Sequence, residues 1–470
     1  MTGRSCRPWE GRSGDDPSLP RGETMNLRYC VLLFVVALAA SANAQTRPTP
    51  EDLQRRLDEL EQKVRMLESA PPSKAEVDAT VAAILHDADQ RSKLIGEAAD
   101  VSAGYNNGFY IRSKDGRFSW RPSLLFQFRG AATWRDGAKA DGSDDFQSGF
   151  EVRRMRFIMN GNAFGPDLTY RIYWDTNREG GGFNLVDAWI HYQVPQTPWG
   201  LRVGQLTAPH TRELMIGAAA QLGADSSVND ALLGGGLSNR VQGVTVTYGN
   251  YDAKNPLNAE FGVHDGANSI NTDFRDTVVA GGVDTHTDWG VIGRIEWKAF
   301  GNWNYYKDLS AANNRDDGLL VFGAAADLTG GTNTNQLLAV IDAQWEQRQF
   351  SVFASVMARY NDNRGAGSTD RLDWGPLIQA GYMLTPNWEV FGRYGLTCLD
   401  DDFATGDEYI HELTAGVNYF IMPEAPSRGK LTFEATYLPN GAPAGMGGLD
   451  VLTSNGQAEF VLRAQFQLSL

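Results

Sequence analysis

The stretch FVLRAQFQLSL, Phe460 to Leu470, is apolar at every second position. Phe460, Leu462, Ala464, Phe466, Leu468 and Leu470 share one phase. Arg463, Gln465, Gln467 and Ser469 share the other, with Val461. A period of two sends successive side chains to opposite faces of a strand. The pattern recurs from about residue 104 onward. Phe126, Phe128, Gly130, Ala132 and Trp134 alternate with Gln127, Arg129, Thr133 and Arg135. Leu168, Tyr170, Ile172 and Trp174 alternate with Thr169, Arg171, Tyr173 and Asp175, and Leu431, Phe433, Ala435 and Tyr437 with Thr432, Glu434 and Thr436.

A soluble β-sandwich alternates too. Three features point elsewhere. The strands are long, about nine to fifteen residues against a common five or six. Aromatics such as Trp134, Trp174, Trp297, Trp345, Tyr360, Trp388 and Tyr437 sit at strand ends on the apolar phase, where the girdles of a membrane barrel belong. The opposite phase carries Arg, Glu, Asp and Gln, which a wet lumen accepts and a dry core does not. Strand starts fall near 122, 148, 166, 183, 199, 240, 257, 287, 318, 336, 349, 373, 387, 408, 428 and 455. The expected fold is all-β, a transmembrane antiparallel barrel of about 16 strands over residues 105–470. Closure pairs the last strand with the first, since an open edge in hydrocarbon leaves backbone groups unpaired. The hairpin around Gly108 to Arg121 either adds strands or plugs one mouth.

Composition agrees. There are 51 Gly and 11 % aromatics, and mean hydropathy is too low for a bundle of membrane helices. A net charge of −15 disfavours nucleic acid as a partner. Cys6, Cys30 and Cys398 make no redox or zinc motif.

The N-terminus reads as an address. MNLRYCVLLFVVALAASANAQ, from Met25, has a positive Arg28, a short apolar run and the A-x-A site Ala42-Asn43-Ala44. This predicts a cleaved signal peptide over 25–44, with 1–24 from a start assigned too early. Leu53, Leu57, Leu60, Val64 and Leu67 follow heptad spacing, so 45–70 is expected to form a short periplasmic coiled coil, or a lone amphipathic helix. Pro71-Pro72 ends it. Residues 71–104 are a linker with a weaker helical stretch. The coil could reach toward the cell wall.

Glu151-Val152-Arg153-Arg154-Met155-Arg156-Phe157 resembles the E-x-R-R-x-R strand of the phosphate-selective porin (porin O and P) family. Asp187-Ala188-Trp189-Ile190, followed by Val203-Gly204-Gln205-Leu206-Thr207-Ala208-Pro209, is similar to that family's GQ-x-x-x-P strand end. Gly416 to Phe420 and Arg463 to Phe466 are similar to its late strands. The resemblance implies a homotrimeric sixteen-stranded outer-membrane porin, seated in lipid, with an inward-folded third loop. The candidate loop is Thr207 to Asn239, which carries Arg212, Glu213, Asp225 and Asp230 and is followed by Arg240. It either narrows the pore or covers a neighbouring subunit.

Arg129, Arg154, Arg156, Arg171, Arg202, Arg294, Arg359, Arg393 and Arg463 fall on lumen-facing phases. Arginine is always charged and its fork suits phosphate or carboxylate. The row is either a track for anions or one side of a field paired with Asp175, Asp187, Glu260, Glu296, Glu389, Glu412 and Glu434. The expected function is passive diffusion of small hydrophilic solutes, leaning toward phosphate or other anions. A carbohydrate-selective or general porin is the alternative, and a barrel-anchored tether the alternative of another class. Catalysis is not expected: His86, His191, His210, His264, His286 and His411 have no metal spacing, and no nucleophile elbow occurs. No cofactor or metal is expected.

Overall fold

The computed structural model describes residues 101–470 except 107, 137–144, 177, 179, 270–276, 279–285, 312–314, 332, 365–368, 402–406, 444–445, 447–448 and 453–455. It also describes a scatter of residues between 51 and 86. The chain divides into two units, Met1–Ile95 and Gly96–Leu470. In the first, the described residues are helical and exposed. Leu53, Leu60, Val64 and Leu67 of the predicted coil, and the predicted signal peptide, lie outside the described residues.

The second unit is a ring of sixteen antiparallel strands. We number them β1 (Ser119–Arg135), β2 (Phe146–Asn162), β3 (Leu168–Thr176), β4 (Phe183–Gln193), β5 (Trp199–Thr207), β6 (Arg240–Tyr248), β7 (Leu257–His264), β8 (Trp289–Gly301), β9 (Arg315–Gly330), β10 (Thr334–Arg348), β11 (Phe350–Asn363), β12 (Arg371–Met383), β13 (Trp388–Cys398), β14 (Tyr409–Phe420), β15 (Gly429–Leu438) and β16 (Glu459–Ser469). Each pairs with its sequence neighbours. The ring closes where β16 pairs with β1, from Glu459 opposite Arg135 to Ser469 opposite Leu125. Closure satisfies the edge backbone that hydrocarbon would leave unpaired. The strands Val101–Tyr105 and Phe109–Ser113 form a hairpin that adds to the sheet where Ile111 and Arg112 meet Trp120 and Ser119.

Outward side chains are apolar and end in aromatics at two levels. At the end of the ring holding Ser119 and Leu470, Trp199 meets Tyr248 at 4.8 Å, Phe350 meets Tyr382 at 4.7 Å and Trp388 meets Tyr419 at 4.9 Å. At the far end, Trp134 packs 5.1 Å from Phe146 and 6.0 Å from Phe460. These are interfacial girdles around an apolar band. Inward side chains are polar, as the alternation predicts.

The lumen is largely filled along one side. The β5–β6 loop enters from the far end. Ala442, Met446, Leu449 and Val451, from the connection after Leu438, pack over it and gather with Val228 and Ile410. From the opposite end the β8–β9 connection also turns inward, burying Trp303, Tyr306 and Leu309. The space left open runs along β2–β8.

Candidate permeation pathway

The β5–β6 loop holds three short helices, α1 (Arg212–Ile216), α2 (Val228–Leu233) and α3 (Gly235–Ser238). The Thr211 hydroxyl accepts from Leu214 N at 3.2 Å and starts α1, and the Ser227 hydroxyl accepts from Asp230 N at 3.0 Å and starts α2. Gly217 ends α1 at φ 73°, a conformation that costs a Cβ-bearing residue energy. From there residues 217–219 run along the open space.

Barrel side chains hold this loop largely by its backbone. Glu434 accepts from Ala224 N at 2.9 Å and Glu412 from Val228 N at 2.8 Å. Asn418 donates to Leu222 O at 2.9 Å, Lys430 to Gln221 O at 2.7 Å and Gln467 to Ala219 O at 3.0 Å. Leu222 seats against Leu309, Phe353, Leu377 and Phe391. Each such hydrogen bond contributes about 1 kcal/mol net, but a stripped partner would cost more.

The centre of the seat is Asp225. Its carboxylate lies 2.6 Å from Arg129 Nη2, 2.5 Å from Arg154 Nη2 and 3.3 Å from Arg153 Nε. Burial pushes this carboxyl upward, but Arg129, then Arg154 and Arg153, hold it well below the ordinary carboxylate range. Two consecutive arginines reach the lumen because β2 bulges: Gln127 faces Arg154 while Phe128 faces Val152, leaving Arg153 as an extra residue. The bulge brings Arg153, Arg154 and Arg156 inward together.

A second bulge shapes the opposite wall. Tyr173 faces Asp187 but Trp174 faces Leu185, so Val186 is extra in β4. The side-chain amide of Gln205 donates to the carbonyls of Leu185 at 3.0 Å and Val186 at 2.8 Å, satisfying the disrupted ladder. Gly204 beside it, at φ 128°, faces Trp189; a Cβ there would stand 2.2 Å from Ala188 O. The Gly-Gln pair of the resemblance therefore has a physical role.

The open space forms two adjoining chambers. One, about 370 Å³, lies between α1 and the wall and is lined by Arg156, Arg171, Arg202 and Arg240 on one side. Leu214, Met215, Ile216, Gly217, Ala218 and Ala219 line the other. The second, about 440 Å³, continues past Trp189, Arg202, Met215, Tyr251 and Glu260 to His191 and Asp167 near the terminal end. Arg156, Arg171 and Arg240 surround the Tyr173 ring with guanidinium carbons 5.3, 5.3 and 6.0 Å from its centre. Arg202 lies 5.0 Å from the Trp189 ring. Each arginine has a carboxylate: Asp175 at 2.8 Å from Arg156, Asp187 at 3.0 Å from Arg171 and 3.3 Å from Arg240, and Glu260 at 3.3 Å from Arg202. The side chains are not equally presented. Arg171 and Arg202 are 29 % and 25 % exposed, Asp187 only 3 %. At Arg171 and Arg202 water therefore meets the guanidinium more than its carboxylate partner, whereas at Arg156 the partner Asp175 is the more exposed of the two.

The inward arginines thus divide in two. Arg156, Arg171, Arg202 and Arg240 line the passage. Arg129, Arg154, Arg359 and Arg393 are locked in the filled half: Arg129 and Arg154 on Asp225, Arg359 on Asp373, and Arg393 on Glu412 at 2.6 Å. Arg463 bonds Glu434 at 2.9 Å. Arg294 touches the second chamber but is 2 % exposed, donating to Asp342 and to His210 O at 2.8 Å each. Arg212 donates to Gln344 at 3.0 Å and lies 3.6 Å from the centre of the Tyr306 ring. Glu213 accepts from Ser227 N and Oγ at 2.9 and 2.7 Å, and Asp230 from Thr211 Oγ1 at 2.5 Å. None of the loop's three acidic residues, Glu213, Asp225 and Asp230, lines the passage. Sequence reading missed Arg153, Tyr173, Met215 and Tyr251. The adjacent Arg153-Arg154 pair, breaking an alternating strand, was the available signal for the bulge.

A closed barrel narrowed by a loop drawn inside it is the architecture of a porin-type channel. Residues 127–280 match the family described as phosphate-selective porin O and P, and they contain both bulges, the loop and the arginine wall. The chain is an outer-membrane channel for small solutes. Among solved structures it is similar in fold to an anion-selective porin from Comamonas acidovorans: 14 % identity, 75 % of this chain and 100 % of that chain covered, TM-score 0.52. It is also similar to the outer-membrane expressed OmpT of Vibrio cholerae, with 9 % identity, 75 % and 98 % coverage and TM-score 0.49. Salmonella typhi OmpF, in a complex with daunomycin, gives 10 %, 78 % and 100 %, and 0.48. No curated protein matches the chain in sequence.

Proposed function

We propose that this channel favours small anions, inorganic phosphate and chloride among them, over cations. One observation carries the reading: along the passage the guanidinium groups of Arg171 and Arg202, 29 % and 25 % exposed, are presented to water more than their carboxylate partners Asp187 and Glu260, 3 % and 12 % exposed. What governs permeation is the field at the narrowest ring, not the chain's overall acidity. The solved relative named an anion-selective porin is in keeping with this lean. Arg156, Arg171, Arg202 and Arg240 are the residues we assign to the solute.

Reversal potentials across a planar bilayer in a KCl gradient test the proposal. A chloride-selective sign supports it, and a strong potassium preference overturns it. A carbohydrate-selective reading has one supporting feature, Trp189 and Tyr251, which both line the two chambers; block of the current by oligosaccharides would favour it. In the same reading the barrel assembles as a homotrimer. Residues 45–70 form a coiled coil in the periplasm, able to approach the cell wall. Conductance that persists after deletion of residues 45–100 separates the pore from a tethering role.

A further inference from the structure

The passage is lopsided. Its barrel wall presents four arginines, with the less exposed Asp187 and Glu260 set among them, and its loop wall presents Leu214, Met215, Ile216, Gly217, Ala218 and Ala219, with no charge among them. A channel built to stretch solutes between opposite charges would place a carboxylate on the loop edge. Here Glu213, Asp225 and Asp230 are 1 %, 3 % and 4 % exposed and turn toward the loop interior or the filled half.

An inorganic oxyanion is hydrated on every side. Against this passage it gains guanidinium donors on one side and meets alkyl groups on the other. The alkyl groups return nothing for the water they displace. A solute with an anionic head and an apolar body is matched on both sides. Its head takes the arginine fork, which is suited to a carboxylate in two-point contact. Its body lies on Met215, Ile216 and Ala218, where burying apolar surface is favourable. The rings of Trp189 and Tyr251 border both chambers. They offer edges and faces to an aromatic body. A chamber of about 370 Å³ lies in the range of small-molecule sites.

We propose that the preferred organic solute is an amphiphilic monoanion of the aromatic carboxylate kind. The inference rests on the anion-favouring reading and names its substrate class. The head travels along Arg240, Arg171 and Arg156 while the body stays on the loop edge. Several arginines in succession share the head, so no single site holds the solute too tightly to leave.

Bi-ionic reversal potentials on the reconstituted full chain test it, with potassium benzoate, acetate, phosphate or chloride on one side and potassium chloride on the other. Benzoate diffuses more slowly than acetate in water, so a neutral aqueous pore would favour acetate. The proposal expects benzoate to permeate about threefold or more over acetate. In Met215→Ser that ratio falls toward one. Ala218→Asp, which sets a carboxylate opposite the arginines, lowers the permeability of benzoate and acetate alike. If chloride is preferred over potassium but benzoate does not exceed acetate, this inference fails and the proposed function stands. If potassium is preferred, both fail. A benzoate advantage that survives Met215→Ser and Ile216→Ser together also overturns the assignment to the loop edge.

Discussion

The backbone amide of Leu309 donates to the carbonyl oxygen of Ala220 across 3.1 Å. The two residues enter the barrel from opposite ends, one on the β8–β9 connection and one on the constriction loop. Around them Gln344 donates to Asp308 O at 2.7 Å, and Glu389 accepts from Ala311 N at 2.6 Å. The constriction is therefore braced from below as well as held from the wall.

Tyr306 is the key of that brace. Its ring lies under Arg212, and its hydroxyl donates to Glu296 at 3.1 Å. Tyr306→Ala removes a buried aromatic and is expected to cost about 3 kcal/mol locally. The barrel persists, held by its strand ladders. Single-channel records should show a larger mean conductance and more open-channel noise; an unchanged trace would contradict the brace.

Asp225 neutralises three arginines at once. Asp225→Asn leaves Arg129, Arg153 and Arg154 short of a counter-charge in a buried site, a loss of about 3 to 5 kcal/mol. The loop should unseat. Conductance then rises and anion preference strengthens, measurable as a shift of reversal potential in a salt gradient.

Passage-lining and seating arginines should separate experimentally. Arg171→Gln removes an exposed guanidinium and is expected to weaken anion preference with little change in thermal unfolding. Arg129→Gln breaks contacts to Asp225 and to Asp450 at 2.7 Å and is expected to lower the melting temperature. If Arg171→Gln leaves the reversal potential unchanged, the assigned track is wrong.

Loop seating has a pH window set by opposing groups. Burial first, then the nearby Asp230 carboxyl, raises Glu213 above its ordinary 4.5. The folded loop then holds more protons than the unseated one, so this contribution is present below 4.5 and lost as pH rises through the raised value. Burial lowers His210 from 6.5 to about 4. Its neutral form is favoured in the fold, so that contribution is full above 6.5 and lost as pH falls toward 4. Asp225, held below 3.8, keeps its contribution above that value and loses it only in stronger acid. Channel noise should therefore grow in alkali and again in acid. Glu213→Gln, which fixes the neutral state and keeps both contacts to Ser227, should remove the alkaline arm alone.

The ring was legible in the residues because alternation is a local signal. Starts read near 199, 240 and 257 coincide with β5, β6 and β7, since one buried-polar phase and one apolar phase fix each strand's register. The inward phase of Arg129 and Arg171 was equally plain. What alternation cannot tell is which inward arginine meets water. Arg129 and Arg171 read alike in sequence; a loop about a hundred residues from Arg129 buries one and leaves the other open. The bulge at Arg153 adds a residue and breaks the period locally, so a strict two-residue reading sends it outward. The inward turn of Trp303 to Leu309 was missed for a related reason: its apolar residues find partners only after the ring closes.

Many of the bonds that fix the constriction loop run from wall side chains to its main chain: Glu434 to Ala224, Glu412 to Val228, Asn418 to Leu222, Lys430 to Gln221. A clamp on amides and carbonyls is indifferent to what each residue carries. Within the loop edge Gly217 is kept by its φ of 73° and Leu214 and Ile216 by their packing, whereas Met215 and Ala218 are thus exchangeable. Drift at those positions can retune the filter while the mount stays intact, so chains sharing this barrel are free to diverge in diet without redesigning the frame.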